Sequence, residues 1–185
     1  MRPFWRLLLE GMGGFLAALA LELAAGGLLE ARLERLVAIS YILFLVPAVN
    51  NMAGTLGTIM VARLSTALHL GTLAPTLKRS ETLAANLQGV AAVGSTTLLY
   101  LVLLTQVLAR LLGAGLPNPL GLAALVVLAG GLAVILVVAT SILLSLGLFR
   151  QGLDPSVAVM PVITAVGDIY GVGSLLGVAY LLGLL

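Results

Sequence analysis

No cysteine occurs in the 185 residues, and histidine occurs once, at position 69. A thiolate metal site and a disulfide framework are thereby excluded, and one imidazole cannot by itself build a histidine-based metal site. Charge is scarce too: 9% of residues are charged, against about 25% in an ordinary soluble domain. Nine basic residues and a net charge of +2 are too sparse for a nucleic-acid surface, so nucleic acid is not an expected partner. What fills the chain is hydrocarbon, with 61% hydrophobic residues and a mean hydropathy of +1.22. The 22 glycines fit the same setting, because glycine is commoner in membrane helices than in soluble ones. The implied solvent is the lipid bilayer.

A bilayer core takes about 20 mostly apolar residues per helix. Five stretches meet that length, at 7–29, 37–62, 83–109, 119–148 and 156–183. The sequence therefore predicts an all-α, polytopic protein of five transmembrane helices forming one domain over 1–185, with no cytosolic regulatory domain. The separators are Glu30–Arg35, Arg63–Glu81, Gly113–Pro119 and Arg150–Pro155, and His69 is expected in a loop. Asp154 followed by Pro155 reads as an N-cap with proline at the first helical position. The opening run holds Glu10 and Glu22 and is too long for the apolar part of a signal peptide, so it reads as the first membrane helix, with Trp5 at the interface. Arg2, Arg6, Arg63, Lys78, Arg79 and Arg150 fall on one side and Arg32, Arg35 and Arg110 on the other. That asymmetry places the N-terminus inside and the C-terminus outside, in a multi-pass protein of the cell membrane.

Against this background the polar residues stand out. A charged side chain at mid-bilayer costs at least ~2.5–3.5 kcal/mol, so Asp168, about halfway through the last span, is a functional candidate. Thr164 lies four residues earlier and so on the same helical face. Pro161 has no N–H to offer the carbonyl of Val157. Carboxylate, hydroxyl and loosened carbonyl are hard oxygen ligands, the set that Mg²⁺ and Ca²⁺ select. The second span mirrors it: Pro47, Asn51, Thr55 and Thr58 form one polar stripe, with Asn50 beside it and a local break expected at the proline. Two proline-interrupted, glycine-rich spans bearing oxygen ligands suit an ion site near the midplane. The metal-ligand candidates are Asp168, Asn51, Asn50, Thr55 and Thr164. Asn86, Gln88 and Glu22 are weaker candidates for a path or entrance. Gly167, Gly171, Gly173 and Gly177, with Gly54 and Gly57, let helices approach closely, within the chain or against a second copy. One five-helix unit offers too few polar faces to enclose a hydrated ion, so a homodimer is expected.

Two stretches carry a family likeness. Val46-Pro47-Ala48-Val49-Asn50-Asn51-Met52-Ala53-Gly54-Thr55-Leu56-Gly57-Thr58, continuing to Arg63-Leu64-Ser65-Thr66-Ala67, resembles the signature of the MgtE magnesium transporters and their animal solute-carrier relatives. The Arg-Leu-Ser-Thr-Ala run is nearer the animal branch. Gly152-Leu153-Asp154-Pro155, then Pro161, Thr164 and Asp168, resembles the last helix of the same family. The resemblance implies Mg²⁺ as the transported ion, a dimeric five-helix domain, and a cation path at the two-fold interface between the second and fifth helices. It also implies that Asp168 is the key acidic residue. Bacterial relatives read Gly-Gly-Asn where this chain reads Ala53-Gly54-Thr55, so a threonine replaces an asparagine ligand that Asn50 or Asn51 would have to make good.

An intramembrane aspartyl protease needs two carboxylates sharing a proton. The second aspartate, Asp154, lies about two-thirds of a span from Asp168, so no enzyme is expected. A non-transporting assembly subunit is the rival reading, in which Asp168 is structural. No prosthetic group is expected, only Mg²⁺, Mn²⁺, Co²⁺ or Ca²⁺ as bound and transported ion.

Overall fold

In lipid, each backbone N–H and C=O must be satisfied within the protein, which leaves helices as the natural form of these apolar runs. The computed structural model describes residues 2–31, 40–78, 80–111 and 118–184, and it is all-helical, with no strand among them. The helices are α1 (Arg2–Glu30), α2 (Ser40–His69), α3 (Glu81–Leu111), α4 (Pro119–Arg150), the short α5 (Pro155–Ala158) and α6 (Met160–Leu181). Five of these, α5 excepted, are long and apolar enough to cross a membrane. The expected segments at Arg32–Arg35 and Gly113–Leu116, and Arg79, lie outside the described residues.

Three features of the second and last spans differ from the sequence expectation. The second helix does not stop at 62 but runs to His69, so His69 is a helical residue and not part of a loop. Its last turns stay helical because Leu64, Ala67 and Leu68 are buried, with Leu73 of the following loop in the same cluster. The helix then ends in a Schellman turn: Thr72 N–H bonds Ala67 O and Gly71 N–H bonds Leu68 O, at 3.0 and 3.2 Å. Gly71 takes φ +71°, the left-handed conformation that this turn needs and that glycine adopts without strain.

Pro47, second, does not break its helix, which continues through it. A proline removes one ladder bond, and neighbouring helices in a membrane bundle hold the segment regardless. Third, the last span is two pieces. Asp154 caps α5 by accepting from Ser156 N–H at 2.9 Å, as the Asp-Pro pair predicts. The chain steps at Val159 and resumes as α6 with Pro161 in its first turn, where a missing N–H is harmless.

α2 and α6 form the centre. α6 packs on α2, α1 and α4, while α2 also packs on α4 and α3. Between α2 and α6 the backbones nearly touch: a Cβ built on Gly167 would lie 2.8 Å from both the Cα and N of Gly54. Around this crossing Ile42, Leu45, Val49, Ala53, Ile163, Val172 and Leu175 form the core with Leu125, Val126 and Val137 of α4. α1 and α2 both rest on α6 but scarcely touch each other, which leaves a cleft between them.

Gly167→Ala should therefore destabilise the protein by about 1–3 kcal/mol through forced separation of the two backbones. Gly173→Ala, in the same helix but with nothing within 4 Å of its Cβ position, should be neutral or gain up to ~1 kcal/mol from helix propensity. Thermal unfolding of the two purified variants in detergent checks the contrast, and equal melting temperatures would refute it.

Candidate functional site

The cleft is the polar heart of the bundle, a cavity of about 530 Å³. α1 contributes Glu22, Ala25, Gly26 and Leu29; α2 contributes Val46, Pro47, Asn50, Asn51, Gly54, Thr55 and Thr58; α6 contributes Thr164, Asp168 and Val172. Asp168, Asn50, Asn51, Thr55 and Thr164, which are far apart in sequence, thus share one space with Glu22. The periodicity of α2 explains its share: Pro47, Asn51, Thr55 and Thr58 recur at three or four residues and so lie along one face.

Within the cleft, Asn50 and Glu22 lie close enough to the Asp168 carboxylate to act on it electrostatically. Thr58 Oγ1 donates to Thr55 O at 2.9 Å and Thr164 Oγ1 donates to Met160 O at 3.2 Å. Each hydroxyl thus commits its proton to its own helix and leaves oxygen lone pairs for the cavity. The donor set is hard oxygen: two carboxylates, the Asn51 amide and three hydroxyls, while the Asn50 amide oxygen is buried away from solvent. No group of three or more His, Asp or Glu side chains placed to hold a metal occurs among the described residues.

Asn86 and Gln88 stand elsewhere. Asn86 is buried and its Oδ1 accepts from Arg63 Nε at 2.6 Å, tying α3 to α2; Gln88 is exposed. Neither lines the cleft. Ser141 is fully buried and donates to Val137 O and Gly57 O, at 2.8 and 3.2 Å, which joins α4 to α2. Asp154 and Asp168 line separate cavities.

One cluster was not anticipated. At the α2–α5 end, Ser65 Oγ donates to Asp154 Oδ1 at 3.1 Å, and Ser156 Oγ donates to the same oxygen at 2.7 Å. His69 Nδ1 lies 2.8 Å from Ser65 O, its Nε2 faces Asp154 Oδ2 at 3.9 Å, and its ring stands edge-on to Phe149. Ser65 and His69 are four residues apart, which would have placed them together had the second helix been extended to its true end.

The arrangement defines a class before it defines a family: a multi-pass membrane protein with an oxygen-lined cavity at the crossing of two glycine-rich helices. A family model described as MgtE, divalent cation transporter, matches residues 46–178. The chain belongs to this MgtE family of divalent cation transporters, which is a family of transporters and not of enzymes. The match begins at Val46, the first cleft residue of α2, and takes in every cleft residue of α2 and α6. Searches among curated proteins and among solved structures return no match.

The Asp154 cluster has a measurable signature. Burial pushes its carboxyl up, but the Ser156 hydroxyl and N–H, the Ser65 hydroxyl and the charge of His69 outweigh that and hold it below its ordinary 3.8. A depressed carboxyl stabilises the fold while ionised, so the contribution is complete above pH 3.8 and disappears as pH falls through the lower folded value. Between about pH 5 and about pH 3, wild type should lose more melting temperature than Asp154→Asn. Parallel acid profiles for the two would contradict this account of the cap.

Proposed function

We propose that the chain carries Mg²⁺ across the bilayer through the cleft between α2 and α6. Asp168 is the charged ligand, and Asn51, Thr55 and Thr164 supply neutral oxygens. Asn50 sits beside the carboxylate, and Glu22 acts as an acidic residue on the approach. The observation that carries this reading is the convergence of these residues, from three separated stretches of sequence, on one cavity. In this reading Asn50 or Asn51 offsets the loss of the asparagine whose place Thr55 takes. The set contains no thiolate, so hard Mn²⁺, Co²⁺ and Ca²⁺ compete for the site while soft Cu(I) does not.

The working unit in this proposal is a homodimer with the path near the two-fold axis. Its support is the cleft itself: α1 and α2 flank it and α6 floors it, while the remaining long helices pack on the far side. A second copy would supply the missing wall. Arg63, Lys78 and Arg150, grouped around the ends of α2 and α4 with the α2–α3 loop, support an N-terminus inside. The Arg63-Leu64-Ser65-Thr66-Ala67 run supports a place nearer the animal solute-carrier relatives.

Flux into proteoliposomes containing the purified protein alone tests the proposal. Asp168→Asn should weaken apparent Mg²⁺ affinity by at least about tenfold, roughly 1.4 kcal/mol, with the fold intact, whereas Asp154→Asn should do much less. Apparent affinity should also fall as pH drops, because protons compete with the cation for the carboxylate. Normal transport by Asp168→Asn would place the site elsewhere, and absence of any divalent flux would favour an assembly subunit. The dimer stands or falls on particle mass in mild detergent, where a strictly monomeric but active protein would refute it.

A further inference from the structure

Gly171 lies one turn beyond Asp168 on α6, and so on the same face. Opposite it, across the helix contact, stands Asn50 of α2. A Cβ built on Gly171 would overlap the Asn50 amide oxygen, would lie 3.0 Å from its Cγ, and would approach its Cα to 3.2 Å. That oxygen is shut off from solvent and has no hydrogen-bond partner. An unpartnered buried carbonyl is unfavourable, so polar attraction does not explain its position.

What keeps the amide there is shape: the absence of a side chain at 171 makes a seat for one end of Asn50, in the cleft that it lines together with Asp168. Resting on the proposed role of Asp168 as the charged ligand, we propose that Gly171 is a positioning residue for cation binding, seating the Asn50 side chain so that it orients that carboxylate. Asn50 then acts on the ion through Asp168. A ligand fixed by a hydrogen-bonded neighbour keeps its geometry between binding events, and loss of such a neighbour weakens metal affinity by about 10–100-fold.

The test is a double-mutant cycle on the full chain, read by Mg²⁺ binding calorimetry in detergent and by the KM for Mg²⁺ flux. Gly171→Ala should weaken Mg²⁺ affinity by about tenfold in the wild-type background, and Asn50→Ala should do likewise. In the Asn50→Ala background the added Gly171→Ala should cost markedly less, because the amide is gone and only the 3.2 Å approach to the Cα at position 50 is left to relieve. Equal cost in both backgrounds, or none in wild type, would overturn the proposal by reducing Gly171 to ordinary helix packing. Should Gly171→Ala fail to fold, folding of the Asn50→Ala/Gly171→Ala pair would support the seat, and failure of the pair would overturn it. The outcomes separate from those of the parent reading: Mg²⁺ binding that is lost in Asp168→Asn but additive in the cycle sinks the seat alone. Absence of Mg²⁺ binding by wild type sinks both.

Discussion

The meeting of two glycine backbones, Gly167 on Gly54, is the contact from which the rest of the arrangement follows. Lipid tails are as apolar as leucine, so nothing hydrophobic drives helices together within a bilayer, and close packing must do it. Where two helices approach at backbone distance, their register is fixed on both sides of the contact. The neighbouring close approaches pair Asn50 with Gly171 and Gly57 with Ile163. α2 and α6 therefore run antiparallel, and the polar stripe of one is aligned against the acidic residue of the other.

The same contact explains why the cavity is where it is. With α2 clamped to α6 on one side and α1 resting on α6 on the other, the strip of α6 between them carries Thr164 and Asp168. A carboxylate at that depth costs less because it lines a cavity shared with asparagine and threonine side chains.

The far end of the α2–α6 pair is organised by different physics. Beyond Thr58 and Thr164 the glycine contact gives way to side-chain hydrogen bonds, with Ser65, His69 and Ser156 gathered round Asp154. The step at Val159 and the proline after it make this possible, since α5 turns the chain so that its cap meets the last turns of α2. Packing that brooks no added atom at the crossing and a polar clamp at its end hold one pair of helices by independent means.

By itself the sequence determined the fold class and the five spans, because lipid permits little besides apolar helices, and it singled out Asp168 as a candidate because a mid-span carboxylate is costly. It also determined the face shared by Pro47, Asn51, Thr55 and Thr58, since helical spacing is a local property. Boundaries set by distant packing were beyond it: the turns up to His69 are held by Leu73 of the following loop, and Pro47 is carried through by neighbouring helices. Composition likewise could not say that Asn86 would be taken by Arg63, or that Asn50 would be pressed against Gly171. Those are matters of which helix meets which and in what register, and only the tertiary structure decided them, because in a uniformly apolar chain many pairings bury similar surface. The choice falls to the few places where a missing side chain lets two backbones meet.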